Sequence, residues 1–348
     1  MSSQIGSRRA TIVDVARRAQ VSTTTVSRVL SQTAQVSQAT VARVLTAVDE
    51  LSYRPHLAAR SLASRHTRTL GLVLPRISSD FIAPLLSGIE STARGEGYTL
   101  LVSAIDPRQR PALPVPLGEH NSDGLLVFTH SLADAELSRL SQLKFPLVLL
   151  HRSPPPGAHI PSVTFENKAG ARQVMQHLLQ VHHCRRVAFL RGEAGAEDSY
   201  WREVGYRQTL AAHGIAPETA LVGEGGFDRE TAFRQVQQWL RTGETFDAIF
   251  AGDDASALGA VLALQQAGRR VPEDVAVVGF DDVPLSRYLA PSLTTVRVPI
   301  EAAGSQAVRL LIRLINNQSV EPLVLLPSEL VIRRSCGCPP EVAPNGRA

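Results

Sequence analysis

The sequence contains little cysteine and no long apolar run, and each absence excludes a class of protein. Cys184, Cys336 and Cys338 are an odd number and too few for a disulfide framework in a chain of 348 residues. No uninterrupted apolar stretch approaches the roughly 18 residues that a membrane-spanning helix needs, and the arginine-bearing first twenty residues hold no apolar segment of an export signal. We therefore expect a soluble, cytoplasmic protein without a membrane anchor.

Signatures of several enzyme classes are also missing. The chain has no Gly-x-x-x-x-Gly-Lys phosphate loop, no dinucleotide-binding fingerprint and no Gly-x-Ser-x-Gly nucleophile elbow. The pairs Asp253-Asp254 and Asp281-Asp282 are adjacent in sequence, so their side chains diverge, whereas general acid and base catalysis needs opposed carboxylates. The sequence predicts that the protein is not an enzyme.

Two short clusters contain residue types that bind metal ions. They are Cys336-Gly-Cys338 and His182-His183-Cys184. Neither cluster has a second pair of ligands at the sequence spacing of a zinc site. We therefore expect no metal ion and no cofactor.

Acidic residues are scarce at the start of the chain. Residues 1–68 contain ten arginines and three acidic residues, a net charge of +7, whereas the remainder sums to −3. A compact basic segment on a mildly acidic body is typical of nucleic-acid binding, because each neutralised phosphate releases condensed counterions. A basic terminus can also be a solvated tail that binds nothing, so the pattern inside the segment has to decide.

Three short helices are predicted in the first 54 residues. Thr11 with Asp14, Ser22 and Ser37 are signals for helix N-caps. Each is followed by apolar residues at helical spacing, namely Ile12, Val15, Ala16 and Ala19, then Val26, Val29 and Leu30, then Val41, Val44, Leu45, Val48 and Leu51. A tight turn around Gln20 separates the first two helices. The pattern predicts a helix-turn-helix unit whose second helix can enter a major groove.

The run from Thr11 to Leu30, with Val36-Ser37 and Leu51-Ser-Tyr-Arg-Pro55, resembles the DNA-binding headpiece of the LacI/GalR family of bacterial transcription regulators. The resemblance implies that Arg28 contacts a base edge, and a guanidinium that grips guanine O6 and N7 contributes roughly 1 to 3 kcal/mol of discrimination. The headpiece residues that it implies for DNA contact are Thr11, Ser22, Thr23, Thr24, Thr25, Ser27, Arg28 and Tyr53. The alternative for Thr23 and Thr24 is that they are solvated residues at a helix start.

Two further features follow from this resemblance. Gln20 stands where the family often has glycine. If its φ is positive, glutamine would lower the stability of the folded headpiece by on the order of 1 kcal/mol relative to glycine. After Pro55 the sequence resembles the family's hinge helix, which is too short to be stable alone and orders when two subunits pair over the operator. The hinge residues implied for DNA contact are His56, Ala59 and Leu62, with Leu62 inserted into the minor groove. The alternative for Leu62 is packing on its own headpiece.

From Thr69 onward, short aliphatic runs alternate with helical patterns. The predicted strands are Leu70–Leu74, Tyr98–Val102, Leu125–Phe128, Leu147–Leu150, Val187–Leu190, Ala248–Ala251 and Val275–Val278. Such strands between helices predict an α/β fold of doubly wound parallel sheets, and their number indicates two lobes with a ligand cleft between them. The Gly223-Glu-Gly-Gly226 run is predicted to be a loop.

The family resemblance continues through this region. Its landmarks include Asp123-Gly-Leu-Leu, Asp253-Asp-Ala-Ser-Ala-Leu-Gly259 and Val278-Gly-Phe-Asp-Asp282, which resemble the effector-binding core that these regulators share with periplasmic sugar-binding proteins. The implied domains are an all-α helix-turn-helix headpiece at 1–54, a hinge and linker at 55–68, a two-lobed periplasmic-binding-protein-like core for effector binding and dimerisation at 69–339 and a tail at 340–348. The N-lobe comprises about 69–164 and 297–325, and the C-lobe about 165–295 and 326–339.

By this resemblance, three residues of the C-lobe meet the effector: Arg202, Asp253 and Asp281. Carboxylates and a guanidinium at strand ends form charge-assisted hydrogen bonds to vicinal hydroxyls, which agrees with that role. The alternative for Arg202 and Asp281 is an ion pair between the lobes. Asp254 and Asp282 are expected to cap or brace the backbone after their strands.

The candidate effector residues outside the C-lobe are His151, Arg76, Asp80 and Phe81. His151 replaces an aspartate that commonly ends this strand in sugar-responsive members, so the site loses a negative charge and gains a group that can become cationic. Arg76, Asp80 and Phe81 follow the first strand, and Phe81 offers an apolar face to a sugar ring.

These features predict a sequence-specific repressor that binds a palindromic operator in double-stranded DNA as a homodimer or a tetramer. The resemblance implies that its small-molecule effector is a sugar or a sugar derivative, and the His151 substitution extends this expectation to a sugar acid or a sugar phosphate. One alternative is a sugar-binding protein or enzyme on the same core with incidental DNA binding, which an export signal or an opposed catalytic pair would mark. Another is an architectural DNA-binding protein with a degenerate pocket, whose DNA binding would ignore every metabolite.

Overall fold

The computed structural model describes residues 10–31, 36–53, 66–105 and 117–339. The chain divides into two compact units, Met1–Arg68 and Thr69–Ala348. The predicted hinge contacts His56, Ala59 and Leu62 and the predicted tail lie outside the described residues. Within the described ranges, every helix is too short or too polar to cross a lipid bilayer.

The first unit contains the three predicted helices, α1 (Ile12–Ala19), α2 (Thr23–Ser31) and α3 (Gln38–Glu50). The Thr11 hydroxyl accepts from the Asp14 N–H, and the Asp14 carboxylate accepts from the Thr11 N–H at 2.9 Å, a complete capping box. The Ser22 hydroxyl accepts from the Thr25 N–H at 3.1 Å, and the Ser37 hydroxyl accepts from the Thr40 N–H. All three predicted caps are therefore confirmed.

The helices of this unit enclose a small apolar core. Its buried members are Val15, Ala16, Ala19, Val26, Val29, Val44, Ala47 and Tyr53. The prediction for Leu45 was wrong, since 48% of this residue is exposed and Ala47 is buried instead. One residue advances the helix by about 100°, so with Val44 facing the core its neighbour is turned toward solvent.

The turn between α1 and α2 has the backbone conformation that the sequence suggested. Gln20 ends α1 at φ 54° and ψ 47°, in the left-handed region. A side chain with a Cβ atom is strained there by on the order of 1 kcal/mol relative to glycine. The headpiece therefore carries a local conformational cost at Gln20.

The second unit alternates strands and helices along the chain. In order they are β1 (Thr69–Leu74), α4 (Ile82–Gly95), β2 (Thr99–Ala104), β3 (Gly124–Phe128), α5 (Asp134–Gln142), β4 (Leu147–Leu150), β5 (Ser162–Phe165), α6 (Asn167–Gln176), a π-helical turn (His177–Val181), β6 (Val187–Arg191), α7 (Glu197–Ala212), β7 (Val222–Glu224), α8 (Arg229–Thr242), β8 (Ala248–Ala251), α9 (Asp254–Gln266), β9 (Ala276–Val278), β10 (Thr295–Arg297), α10 (Ile300–Ile315), β11 (Leu323–Leu326) and β12 (Glu329–Val331). Two short 3₁₀ turns, Thr219–Leu221 and Pro284–Arg287, complete them.

Two parallel sheets organise these elements into two lobes. One sheet has the strand order β11-β5-β4-β3-β1-β2, and the other has the order β7-β6-β8-β9. Strands β10 and β12 form an antiparallel pair, and a bridge between Asp281 and Arg297 joins the end of β9 to β10. The predicted doubly wound two-lobed core is confirmed.

All seven predicted strands are present, but short strands were missed. The prediction of a loop at Gly223-Glu-Gly-Gly226 was wrong at its start, because β7 covers Val222–Glu224 and pairs with β6. A three-residue strand containing glycine and glutamate has no aliphatic run to detect. The strand forms because its backbone completes the edge of an existing sheet.

Candidate ligand cleft and nucleic-acid interface

A cleft of about 630 Å³ opens within the second unit. Its walls are built where parallel strands end: Arg76 follows β1, His151 follows β4, Asp253 follows β8 and Asp281 follows β9. Ligands of such folds bind at the carboxyl ends of the strands, because the loops there converge. The seven residues predicted to meet an effector all line this cleft: Arg76, Asp80, Phe81, His151, Arg202, Asp253 and Asp281.

His151 contacts the opposite lobe across the cleft. Its Nδ1 lies 3.3 Å from Oδ2 of Asp198, which stands in the first turn of α7. Neither ring nitrogen has an aligned hydrogen bond to a described residue, so the contact is an ion pair when the imidazole is protonated. Burial alone would raise the pKa of Asp198, but the charges of His151 and Arg202 hold it below its ordinary value.

Aromatic rings surround His151. The imidazole centroid lies 5.4 Å from Phe81, 5.1 Å from Phe128 and 4.9 Å from Phe165, and only 1% of the residue is exposed. Phe81 therefore packs on the imidazole as well as lining the cleft. Phe81 therefore contributes apolar surface to the cleft.

Arg202 lines the floor of the cleft, where it is buried and held by neighbouring groups. Its Nε donates to Asn167 Oδ1 at 2.9 Å, its Nη1 donates to the Gly252 carbonyl, and its Nη2 lies 3.4 Å from Asp281 Oδ1. The guanidinium also stacks over Phe280, 3.8 Å from the ring centroid. Arg202 and Asp281 thus form an ion pair within one lobe, and the predicted alternative of a pair between lobes is wrong.

Asp281 is held in a strained and buried position. Its φ of 111° is unfavourable for a residue with a Cβ atom, and its N–H donates to Val296 O at 2.7 Å. Burial raises the pKa of Asp281 well above its ordinary value, the Arg202 charge opposes this, and neighbouring carboxylates reinforce it. A carboxyl with a raised pKa can donate as well as accept hydrogen bonds, which suits recognition of hydroxyl groups.

The two aspartates that follow β8 have different tasks. Asp253 is the N-cap of α9, with Oδ1 accepting from the Ser256 N–H at 2.9 Å. Asp254 accepts from the Val283 N–H at 3.0 Å and from the hydroxyls of Ser286 and Thr295 at 2.6 and 2.5 Å. Asp254 thereby braces the loop after β9, as predicted, whereas the cap proper is Asp253.

Asp282 has a bracing role of the same kind. Its carboxylate accepts from Arg297 Nε at 2.8 Å and from Arg333 Nη2 at 2.5 Å, and its side chain is buried. These arginines belong to the segments that carry β10 and β12. The expected structural role of Asp282 is therefore confirmed.

Acidic side chains dominate the described lining of the cleft. They are Asp80, Glu193, Asp198, Asp228, Glu230, Asp253, Asp254 and Asp281, against three arginines, Arg76, Arg202 and Arg229. Arg76 is paired with Glu193 across the mouth, and Arg202 is committed to the floor. The cleft is therefore better suited to donor groups than to an anion.

Sequence reasoning missed Asp198, Asn167 and Phe280. Asp198 lies four residues before Arg202 on α7, a spacing that places both side chains on one face, so this pair was detectable. Asn167 and Phe280 contact Arg202 from distant parts of the chain. Only the packed fold identifies them.

The helix-turn-helix unit presents the predicted recognition residues on its surface. Thr23, Thr24 and Arg28 of α2 are exposed, and Thr25 and Ser27 are partly exposed. The hydroxyls of Thr11 and Ser22 take part in the caps described above. Tyr53 is buried in the headpiece core, with 7% exposed, and burial raises its pKa. Packing in this core is therefore the contact that the structure assigns to the Tyr53 ring, and its predicted contact with DNA stays a prediction.

Far along the chain from these sites, four ligand-type residues converge. His177, His182, Cys336 and Cys338 bring their donor atoms within 4.8 Å of one another. The prediction that Cys336 and Cys338 have no second pair of ligands was therefore wrong. The partner is a pair of histidines five residues apart, a spacing that an α-helix would separate.

Known proteins are similar to this chain in both the helix-turn-helix unit and the core. Residues 11–56 match the family described as bacterial regulatory proteins, lacI family, and residues 175–336 match a periplasmic binding protein-like domain. The ribose operon repressor of Halalkalibacterium halodurans is 36% identical over 329 residues, which cover 93% of this chain and 96% of that protein. The regulator GalR of Escherichia coli is 33% identical over 328 residues, covering 93% and 95%.

Solved structures give the same result. The Lac repressor dimer bound to operator and the anti-inducer ONPF is 27% identical, with a TM-score of 0.80 over 94% of this chain and 99% of that one. The complex of the transcriptional regulator CelR with cellobiose is 30% identical, with a TM-score of 0.70 over 94% and 100%. The similarity therefore spans both described units.

Proposed function

The chain belongs to the lacI family of bacterial regulatory proteins, and from that premise we propose that it is a cytoplasmic repressor that binds a palindromic operator as a homodimer. It is a DNA-binding transcription regulator with an effector-binding core. In the proposed function the core carries out no catalysis. It binds a sugar, and this binding sets the affinity of the headpieces for DNA.

The proposal rests on one observation: the same chain contains an exposed recognition helix and a ligand cleft. The α2 helix presents Thr23, Thr24 and Arg28 to solvent, and the core holds a cleft lined by charged groups and aromatic rings. An exposed arginine on a second helix suits contact with guanine in the major groove. Two separate sites in one chain are what regulation by a metabolite requires.

We infer that the effector is a neutral sugar rather than a sugar acid or a sugar phosphate. Besides the three aspartates whose pKa burial raises, an anion would face the acidic side chains of Asp80, Glu193, Asp198, Asp228 and Glu230, and two of the three lining arginines are already paired. Neutral hydroxyls can donate to Asp198, Asp253 and Asp281 and can pack a ring face near Phe81. The named ligand of one structural relative, cellobiose, has this chemistry.

The proposed response is a coupling between the cleft and the DNA-binding unit. A sugar bound between the lobes changes the contacts that join them, of which His151 with Asp198 is one. The resulting shift alters the pairing of two subunits and so the ordering of their hinge segments on the operator. Coupling free energies of about 1 to 3 kcal/mol change operator occupancy about 5- to 150-fold.

A two-stage experiment tests this function. A thermal-shift screen of neutral sugars, sugar acids and sugar phosphates on the full chain identifies ligands, and neutral sugars are expected to give the largest stabilisation. Fluorescence anisotropy with DNA fragments from the gene's own neighbourhood then measures operator affinity with and without each hit. Stabilisation by phosphates alone would contradict the effector class, and indifference to every fragment at low salt would contradict the DNA-binding function.

A further inference from the structure

Four side chains form a compact cluster, the His–Cys cluster, made of His177, His182, Cys336 and Cys338. His177 Nε2 lies 3.1 Å from His182 Nε2, 3.4 Å from Cys336 Sγ and 3.7 Å from Cys338 Sγ. His182 Nε2 lies 3.3 Å from Cys338 Sγ. The cluster lies outside the cleft, and no part of the proposed regulation uses it.

A local change of helix type brings the two histidines together. In an α-helix, residues five apart are separated by about 500° of rotation and therefore point about 140° apart. After α6 the chain instead forms the π-helical turn His177–Val181, in which the His182 N–H donates to the His177 carbonyl. The i to i+5 bond places both imidazoles on one side, with ring centroids 4.8 Å apart. Such turns occur frequently at functional sites.

A tight turn at Gly337, in the segment after β12, brings the two sulfurs together. Gly337 adopts a φ of 101°, a conformation that residues with a Cβ atom rarely adopt. This turn allows Cys336 and Cys338 to face the same imidazoles. The segment is fixed against the C-lobe sheet, because the Ser335 hydroxyl donates to the Val277 carbonyl at 2.6 Å and the Val277 N–H donates to Ser335 O.

Hydrogen bonding does not account for this arrangement. A neutral imidazole nitrogen offers either one proton or one lone pair, so His177 Nε2 can satisfy only one of its three close neighbours. Thiols are weak hydrogen-bond donors and acceptors, so hydrogen bonds to the two sulfurs would stabilise the cluster only weakly. The four donor atoms instead lie within 4.8 Å of one another, as ligands around a central ion do.

Four of the six separations between the donor atoms are close to those around a tetrahedral zinc ion, and all six are within 4.8 Å. With Zn–N distances of about 2.0 to 2.1 Å and Zn–S distances of about 2.3 Å, tetrahedral geometry places two nitrogens about 3.3 Å apart and a nitrogen and a sulfur about 3.6 Å apart. The corresponding distances in the cluster are 3.1 Å and 3.3 to 3.7 Å. A set of two nitrogens and two sulfurs in this geometry favours zinc among the common divalent ions.

One hydrogen bond to Cys336 suits a thiolate ligand, and the Arg333 carbonyl oxygen also lies 3.6 Å from its sulfur. Thr294 is fully buried, and its hydroxyl accepts from the Arg333 N–H at 2.8 Å. The hydroxyl proton is thereby directed to Cys336 Sγ, 3.2 Å away. Hydrogen bonds from a second layer of residues orient metal ligands and stabilise their charge.

We propose that His177, His182, Cys336 and Cys338 bind one structural Zn²⁺ ion per chain. His177 and Cys336 are buried and the other two half-buried, so four protein ligands close the site and leave no position for a substrate. The ion links the segment after β12 to the turn between α6 and β6. It therefore fixes the end of the described core to the C-lobe.

Metal analysis of the full chain tests this proposal. The protein is expressed in zinc-supplemented medium without a metal-binding tag and purified under reducing conditions, and zinc is measured by inductively coupled plasma mass spectrometry. We expect one zinc per chain. Replacement by Co²⁺ in the absence of oxygen should give the visible d–d absorption of a tetrahedral site with thiolate-to-cobalt charge transfer. Removal of zinc by a chelator should lower the midpoint of thermal unfolding, and zinc should restore it.

Matched variants locate the site. Cys336→Ser combined with Cys338→Ser should lower the zinc content at least tenfold, and His182→Asn should weaken binding. Cys184→Ser and His183→Asn alter the neighbouring cysteine and histidine outside the cluster and should keep one zinc per chain. Full zinc content in the double-cysteine variant would overturn the proposal. Wild-type protein that holds less than a tenth of an equivalent, even after reconstitution, and gives no cobalt spectrum would overturn it without reference to any variant.

Discussion

Nδ1 of His151 lies 3.3 Å from Oδ2 of Asp198, and this contact joins the two lobes across the ligand cleft. His151 follows β4 of one sheet, and Asp198 lies in the first turn of α7 beside the other. Thr164 and Asn167 also donate to Asp198, at 3.2 and 2.7 Å. A ligand that enters the cleft therefore meets a polar contact that already depends on the separation of the lobes.

A double-mutant cycle measures this contact. His151→Asn and Asp198→Asn should each lower the stability of the chain without ligand, and the double variant should lower it by less than the sum. Contacting residues of this kind give coupling energies of about 0.5 to 3 kcal/mol. Denaturant unfolding of the wild type, the two single variants and the double variant gives this coupling energy. Additive effects would show that the two side chains do not interact in solution.

Base recognition is assigned to Arg28, which is exposed on α2. Arg28→Ala should remove roughly 1 to 3 kcal/mol of discrimination between the operator and a variant with one substituted guanine. Arg43→Ala removes the same charge from α3 and serves as the control, since a phosphate contact there would weaken all sequences equally. Anisotropy titrations at fixed salt compare them. An unchanged preference in Arg28→Ala would reject the assignment.

Effector binding is assigned to the floor formed by Arg202 and Asp281. Arg202→Ala leaves the buried Asp281 carboxyl without its cation, and Asp281→Ala removes a polar contact, so both should abolish the response to sugar while operator binding persists. Arg207→Ala is the control, because Arg207 lies on the same helix and pairs with Glu203 outside the cleft lining. Isothermal titration with the sugar and anisotropy with the operator separate the two activities. A normal sugar response in both floor variants would remove the cleft assignment.

The sequence predicted the helices and strands better than it predicted the tertiary contacts between side chains. The caps of α1 to α3, the seven aliphatic strands and the residues at their carboxyl ends follow from local patterns, because capping and burial leave periodic signals. The contacts of Arg202 with Asn167 and Phe280 are tertiary and leave no such signal. The π-helical turn was also unpredictable, since its sequence reads as a continuation of α6, and this turn creates the His–Cys cluster.

Asp254 should make stability depend on pH. Burial raises the pKa of this carboxyl to about 7, although hydrogen bonds from Ser286, Thr295 and the Val283 N–H oppose the rise. The folded state therefore keeps a proton that the unfolded state loses above about pH 4. This contribution to stability is complete below that pH and is lost as pH rises through about 7.

Asp254→Asn, which cannot titrate, isolates this effect. The unfolding free energy of the wild type should fall relative to that of the variant by a few kcal/mol between pH 4 and pH 8. Asp281 titrates in both proteins, but the Asp254 charge helps to raise the pKa of Asp281, so the difference also contains the coupling between these two carboxyls. Denaturant unfolding across this range measures the difference, and parallel pH profiles would contradict the assignment.

The turn residue Gln20 gives a simple test of local strain. Its φ of 54° suits glycine, so Gln20→Gly should stabilise the headpiece by up to about 1 kcal/mol. Gln20→Ala keeps a Cβ atom and should give no such gain. Thermal unfolding of the headpiece signal in the full chain compares the two variants. An equal effect of alanine and glycine would exclude backbone strain as the cause.

A single free energy should couple the cleft to the operator, and the reciprocity of the two binding affinities measures it. The affinity of the full chain for its sugar is measured by titration calorimetry with and without saturating operator DNA, and the affinity for operator is measured with and without sugar. The two ratios should be equal and should lie between about 5- and 150-fold. A sugar affinity that does not change when operator is bound would show that the cleft and the DNA-binding unit are not coupled.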